Sequence, residues 1–372
     1  MASCDVLIVG GGPAGSACAW RLREAGVDVV VADASTFPRD KVCAGWITPQ
    51  AVTALHLDTE GYASGRTLQP FSGFRVGLIG GEATTVAYER PVSFGIRRCE
   101  FDHYLLQRAG ARLMLGVPIA SLRRERGEWI VNDAIRAPLL VGAGGSQCPV
   151  ARMMNGPARG RPLVVAREAE ARVGAAELEA IAIEPDVPEL FFCRDLQGYG
   201  WCVRKGEYLN VGLGRLDPRS LPAATQHFAA FLETTRRIPR QFPWRWRGHS
   251  YAVHAAPRGK LVDDGVMLIG DAAGVADPQS GEGIRQAIES GLLAAEAIVE
   301  ARGAFSRDRL EPYATGIAAR FADAPLSGVA ARLVPDAVKA ILAGQLLRIP
   351  AFVKRVVIDE WFLHRHQLAL SL

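Results

Sequence analysis

The sequence predicts an α/β chain: a Rossmann-type nucleotide-binding domain, an inserted β-rich (α+β) substrate domain, and a helical C-terminal region. Three observations carry this prediction. A strand, a glycine-rich turn, a helix and a second strand open the chain. A further strand, ending near residue 270, runs into a glycine-rich loop and a long helix. The stretch between these two units reads mostly as strands. A nucleotide domain interrupted by insertions accounts for all three. The expected boundaries are 1–72, 97–160 and 251–310 for the nucleotide-binding domain, 73–96 and 161–250 for the substrate domain, and 311–372 for the helical region.

Taken in order, Asp5–Val9 is a short apolar strand, Ser16–Ala25 has helical character with Gly26 as its stop, and Val27–Ala32 is a buried strand ending at Asp33. Residues 35–50 read as a polar loop. Residues 73–96 alternate like hairpin strands, and Phe101–Ala109 is a helix. Leu113–Arg124 and Glu128–Val131 read as strands, and Pro138–Val141 leads into Gly142-Ala143-Gly144-Gly145. Strands and turns fill 162–215, and a helix covers 222–237. Val266–Gly270 is a buried strand, followed by a helix from about Glu282 to Arg302. The remainder is helical, punctuated by Pro335 and Pro350.

A length of 372 residues suits two domains, and a net charge of +4 does not suggest a nucleic-acid binder. No apolar run approaches the ~18–20 residues that span a bilayer. The N-terminal apolar stretch lacks the basic flank of a signal peptide. Seven cysteines form no C-x-x-C pair, which argues against a disulfide scaffold or a zinc site. No metal is expected, and the expected compartment is the reducing cytoplasm.

Gly10-x-Gly12-x-x-Gly15 lies between a strand and a helix. Gly10 permits the tight turn, Gly12 lets the backbone approach a pyrophosphate, and Gly15 lets the helix pack on the strand. With Pro13 and Ala14 they form a phosphate cradle at a helix N-terminus, whose free N–H groups and dipole favour an anion. Asp33, at the end of the next strand, can accept ribose hydroxyls and repels a 2′-phosphate. The site therefore suits FAD or NAD rather than NADP.

The second signature is more specific: Gly270-Asp271 after a strand, then Pro278-x-x-Gly281-x-Gly283-Ile284 at a helix start. A third is Arg98-x-x-Phe101-Asp102-x-x-Leu105. In this order the three motifs resemble the flavoprotein group that includes geranylgeranyl reductases, aromatic-ring hydroxylases and flavin halogenases. The resemblance implies non-covalent FAD in the nucleotide-binding domain, with Asp271 on the ribityl chain. It implies Gly281, Gly283 and Ile284 at the flavin pyrimidine edge, Pro278 by the isoalloxazine, and Arg98 approaching the cofactor. Many relatives carry A-D-G where this chain has Ala143-Gly144-Gly145.

Lys41-Val42-Cys43-Ala44 is similar to the reductases' K-x-C-A/G loop, which implies that Cys43 and Ala44 lie near the ring. Cys43 is a candidate proton donor, against a reading as a small packing residue. Tyr199-Gly200-Trp201 resembles the reductases' Y-x-W substrate strand, although Leu196 stands where that motif has its leading proline and Val203-Arg204 where it has its closing Phe-Pro. Tyr199 and Trp201 share a strand face and are candidates to bind substrate. Trp244-Arg245-Trp246 lacks the I-P of the halogenase motif and reads as a solvated, cation–π-laced surface segment. The glycines at 142–145 lack a following helix start and acidic partner. With one dinucleotide cradle, a donor such as NAD(P)H must bind transiently.

Residues 331–372 carry six Lys/Arg against three acids, interleaved with apolar residues. These helices either cap the substrate domain or make peripheral contact with anionic lipid. The expected function is an FAD-dependent oxidoreductase reducing a carbon–carbon double bond of a small apolar organic substrate (isoprenoid, quinone or lipid-like) by hydride transfer from reduced FAD. An aromatic monooxygenase or flavin halogenase-related enzyme is the alternative, and a flavoprotein acting on a protein partner is a third reading.

Overall fold

The computed structural model describes residues 1–156, 163–252, 259–277, 280–321 and 336–370. Apolar runs such as Val6-Leu7-Ile8-Val9 and Val29-Val30-Val31 cannot face water on either side, so they form the centre of a sheet covered on both faces. That six-stranded sheet is ordered Val262–Asp263, Val266–Leu268, Leu139–Gly142, Val6–Val9, Val29–Asp33, Arg112–Leu115. All neighbours are parallel except the first pair. The register sets Val9 beside both Ala32 and Gly142, and Gly142 beside Leu268, so the carboxyl ends of four strands finish level. In open parallel sheets that edge is where ligands bind.

Two helices lie against each other on this sheet, Pro13–Glu24 and Ile284–Glu300. Each begins just beyond a strand end, so both N-termini point to the same edge. They approach closely at Gly291, where a Cβ would lie 2.3 Å from the Ala14 carbonyl oxygen.

A second, seven-stranded sheet is ordered Arg247–Ala252, Leu163–Arg172, Tyr208–Arg215, Gly198–Lys205, Glu189–Phe192, Gly73–Leu78, Ala83–Ala87. One face carries Phe191, Cys202 and Leu213 and is covered by Phe228 and Leu232 of the helix Leu221–Thr234. The other face carries Phe74, Val76, Leu190, Trp201 and Val203. It receives Leu347, Val353, Val357, Ile358 and Phe362 from the C-terminal segment, which includes a π-helical stretch at Val353–Phe362.

Three local expectations are corrected. Leu113–Arg124 is two strands, Arg112–Leu115 in the parallel sheet and Leu122–Glu125 in a separate four-stranded sheet, broken at Gly116 and Pro118. The alternation across 73–96 spans two sheets, because Ser93–Ile96 pairs with Trp46–Ile47 and Leu68–Phe71 rather than with the hairpin before it. The glycines at 142–145 do run into a helix, Pro149–Asn155, after one 3₁₀ turn. Among the described residues, no helix is long and apolar enough to cross a membrane.

Gly291→Ala should force the two central helices apart, since the atom it would strike is backbone. Overpacking of this kind costs ~1–3 kcal/mol. We expect a melting temperature lowered by a few degrees; an unchanged melt would show that the helices separate freely.

Candidate active site

A cavity of about 700 Å³ opens where the carboxyl ends of the parallel strands meet the second sheet. The N-terminal cradle supplies Gly10, Gly12, Pro13 and Ala14, and the downstream loop supplies Asp271, Gly281, Gly283 and Ile284. Asp33, Cys43, Ala44, Arg98, Tyr199 and Trp201 line the same space. Gly15 is buried behind it, and Pro278 lies outside the described residues.

The cradle is tight. Gly10 has φ +118, and a Cβ there would lie 2.3 Å from the Ala143 carbonyl oxygen, so no other residue fits this backbone without strain. Asp33 accepts the Gly11 N–H through Oδ2 and the Ser35 N–H through Oδ1, both at 2.8 Å. Each oxygen keeps a lone pair for a ligand hydroxyl. The first N–H groups of the helix Pro13–Glu24 have no intrahelical acceptor and face the cavity edge. A turn that excludes a Cβ at Gly10 and Gly15, a carboxylate at the strand end and a helix N-terminus together fit a dinucleotide pyrophosphate and ribose.

Arg98 is buried and donates two 2.8 Å bonds to Asp102, which also lies 3.3 Å from Arg39. Phe101 on the same helix is fully buried, beside Tyr62. Sequence reasoning missed the pair Lys41–His249, whose nitrogens lie 2.5 Å apart at the cavity wall. Burial lowers Lys41 to about 8, although Asp271 pulls it up. Burial, with the charge of Lys41, lowers His249 to about 3. Lys41 was visible in its motif, but nothing local marks a histidine 208 residues away as its neighbour.

The far end of the cavity is apolar: Trp46, Ala166, Leu190, Tyr199, Trp201 and Phe362. Phe362 stacks on Trp46 at 5.7 Å and meets Tyr199 edge-on at 5.2 Å. The Tyr199 hydroxyl donates to the Ser280 carbonyl, tying the substrate sheet to the downstream loop. Trp201 both lines the cavity and belongs to the apolar cluster on that face, with its Nε1 donating to Asn210 Oδ1 at 2.7 Å. Trp244 and Trp246 stack at 4.7 Å with Arg167 over Trp246, away from the cavity wall.

Under Cys43 lies a buried polar group that the sequence did not announce. Asn210 Nδ2 donates to the Cys43 carbonyl at 3.2 Å and to Glu168 and Glu170 at 3.0 Å. The Cys43 N–H donates to Glu168, and Lys205 Nζ lies 2.6 Å from Glu170 while donating to the Ala44 and Ile96 carbonyls. Burial pushes Glu168 up to about 7. Burial also pushes Glu170 upward, but the Lys205 ammonium and bonds from Lys205, Asn210 and Arg97 outweigh it and hold Glu170 at about 2.

Because Glu170 is depressed below its ordinary 4.5, the stability it contributes is present above that pH and is lost as pH falls toward about 2. Glu170→Gln leaves Lys205 buried without its counter-ion and should cost ~3–5 kcal/mol at neutral pH. Thermal melts should show the gap between wild type and variant narrowing as pH falls through this window. A gap that is constant with pH would mean the ion pair contributes nothing.

Residues 5–74 match the family model for FAD-dependent oxidoreductases. The chain is 33% identical over 327 residues to the menaquinone reductase of Mycobacterium tuberculosis, covering 80% of this chain and 76% of that one. It is 29% identical over 326 residues to the digeranylgeranylglycerophospholipid reductase of Methanothrix thermoacetophila, covering 80% and 78%. A geranylgeranyl bacteriochlorophyll reductase-like protein of Thermoplasma acidophilum superposes with a TM-score of 0.79 at 21% identity, covering 97% of each chain. Together with the cradle and the downstream loop at one cavity, this likeness places the chain in the geranylgeranyl reductase-like family of FAD-dependent oxidoreductases.

Proposed function

We propose that the protein reduces a carbon–carbon double bond in the isoprenoid part of a lipid or quinone. The observation that carries this reading is the aromatic and aliphatic end of the cavity, where Trp46, Leu190, Trp201 and Phe362 face the loop at Gly281–Gly283. Such a wall offers an alkene a broad apolar contact area. The names of the relatives, a menaquinone reductase and a digeranylgeranylglycerophospholipid reductase, support the same substrate class.

FAD would be held by Gly10, Gly12, Pro13, Ala14 and Asp33 at its adenosine and pyrophosphate end. Arg98, Asp271, Gly281, Gly283 and Ile284 would hold its flavin half, with Cys43 and Ala44 alongside. When bound, the cofactor supplies hydride transfer. The residues of this chain orient the alkene and exclude water. Lys41 and Arg98 add positive charge beside Asp271, and the N-terminus of the helix Ile284–Glu300 favours negative charge at the loop before it. NAD(P)H or another donor reloads the flavin transiently.

Anaerobic mixing of the chemically reduced flavoprotein with menaquinone, or with a digeranylgeranyl lipid, tests the reading. The flavin should reoxidise without oxygen, with one double bond of the product saturated. Turnover that requires oxygen and yields a hydroxylated product would replace this reading with the monooxygenase one.

Such substrates reside in bilayers, and we propose that the C-terminal region meets the membrane surface. Ile341, Leu342, Leu346 and Ile349 are exposed large apolar side chains, close in sequence to the exposed bases Arg348 and Arg355. An apolar face flanked by bases suits an anionic lipid surface. The protein should cosediment with vesicles containing anionic phospholipid, and Ile341→Ser with Leu342→Ser should lose most of that binding. Equal recovery of the double variant would remove this surface from consideration.

A further inference from the structure

We propose that Glu282 and His364 are a proton-delivery pair for the cavity, in which Glu282 gives the proton and His364 restores it. The proposal rests on the double-bond reading, which requires a proton as well as a hydride. Glu282 lies between the two glycines of the downstream loop and lines the cavity. Its Oε2 lies 3.3 Å from His364 Nε2, and His364 is buried on the C-terminal segment. Asp277 lies 3.7 Å from the same nitrogen. On the far side His366 is exposed, its ring 6.1 Å from that of His364. A carboxyl at the cavity, a buried imidazole next to it and an exposed imidazole next to that offer successive steps between cavity and solvent.

The other cavity carboxyls are committed elsewhere, Asp40 in an ion pair with Arg247 at 2.6 Å. Asp33 accepts two backbone N–H groups, and Asp271 sits among the charges of Lys41 and Arg98. Around Glu282 the charged and titratable groups are Asp277 on the loop, Arg285 and Glu289 on its helix, and His364 on the C-terminal segment. Burial, with Asp277 and Glu289, pushes Glu282 up to about 7 against Arg285 and a bond from Gln286. Burial also lowers His364. Near neutral pH a large share of the carboxyl therefore holds its proton, next to the cavity, with the imidazole neutral. Among the described residues, His364 Nε2 is buried with no hydrogen-bond partner, so its lone pair can receive a proton.

In the step, one alkene carbon receives the hydride supplied by reduced flavin, which is thereby oxidised. The other carbon takes the proton from Glu282, whose O–H bond breaks as the C–H bond forms. A proton from solvent then enters the His364 ring and passes on to the carboxylate, which returns the imidazole to its neutral form. General acid catalysis of this kind contributes ~10²–10⁴-fold.

The test uses the flavin-loaded protein. Infrared difference spectra of wild type against Glu282→Gln, in which the Glu168 carboxyl cancels, should show a protonated carboxyl band that fades as pH rises through about 7, with flavin content unchanged. Under anaerobic turnover Glu282→Gln should lose ~10²–10⁴-fold in rate, and Glu282→Asp should recover part of it. His364 has φ +45, so His364→Gly keeps a relaxed backbone. That variant should keep the band, lose turnover, and regain it when imidazole is added. Absence of the band in wild type overturns the pair whatever the turnover. Full turnover with an unaltered pH profile in Glu282→Gln overturns it while the double-bond reading stands. A wild type that carries the band but reduces no double bond supports the pair and removes the alkene as its acceptor.

Discussion

The close contact between the Ala14 carbonyl and Gly291 is the constraint on which the site depends. It joins helices that start 271 positions apart, at Pro13 and Ile284. Each helix N-terminus carries roughly half a positive charge in its unsatisfied N–H groups. Placing two such ends at one sheet edge makes a cavity that favours anionic groups at both ends of a long ligand. A side chain at Gly291 would tilt one helix against the other and change the distance between Gly12 and Gly283. The glycine is thus a spacing device for the cofactor site, although it touches no ligand.

The second constraint holds the substrate sheet to the nucleotide domain. Loop residues 43–45 are fixed from beneath by Asn210, Glu168 and Lys205, all of which belong to the seven-stranded sheet. Burying these charges is costly unless every partner is in place, so the geometry tolerates little movement. Trp201 is tied to the same Asn210. The tryptophan that shapes the apolar wall and the loop at Cys43 therefore share one anchor. That arrangement explains why Trp201 fits neither description alone: its indole face lines the cavity, and its edge is locked into the sheet.

What could be read from the sequence was what repeats locally. The cradle, Asp33, the parallel strands and the downstream loop are contiguous motifs whose spacing follows from one turn of backbone. The fold class and the FAD family follow from them. Contacts between remote segments left no such trace. Lys41 with His249, Glu168 with Cys43, and Glu282 with His364 are joined only when three sheets assemble. Apolar alternation also could not say which sheet a strand joins, since Ser93–Ile96 and Ala83–Ala87 lie close in the chain yet pair in different sheets. The C-terminal segment had two readings because its composition suits both. The structure divides it, with Val353, Val357, Ile358 and Phe362 buried on the sheet and Ile341, Leu342 and Leu346 exposed.

This division bears on how a dry site obtains a proton. An apolar cavity that strengthens its hold on an alkene by excluding water also removes the simplest proton source. Here the element that closes the cavity is the element that carries the imidazole. Phe362 stacks on Trp46 at the wall, and His364 follows two residues later beneath the loop. Gln50 donates to the carbonyls of Leu363, His364 and Gln367, so seal and imidazole are held by one side chain. Arg285 adds a bond to Gln367, and Arg320 a bond to Leu368. Displacing the segment would open the apolar wall to water and remove His364 from Glu282 in the same movement. Closure and proton supply are therefore one structural event, set by the chain order of an aromatic and a histidine.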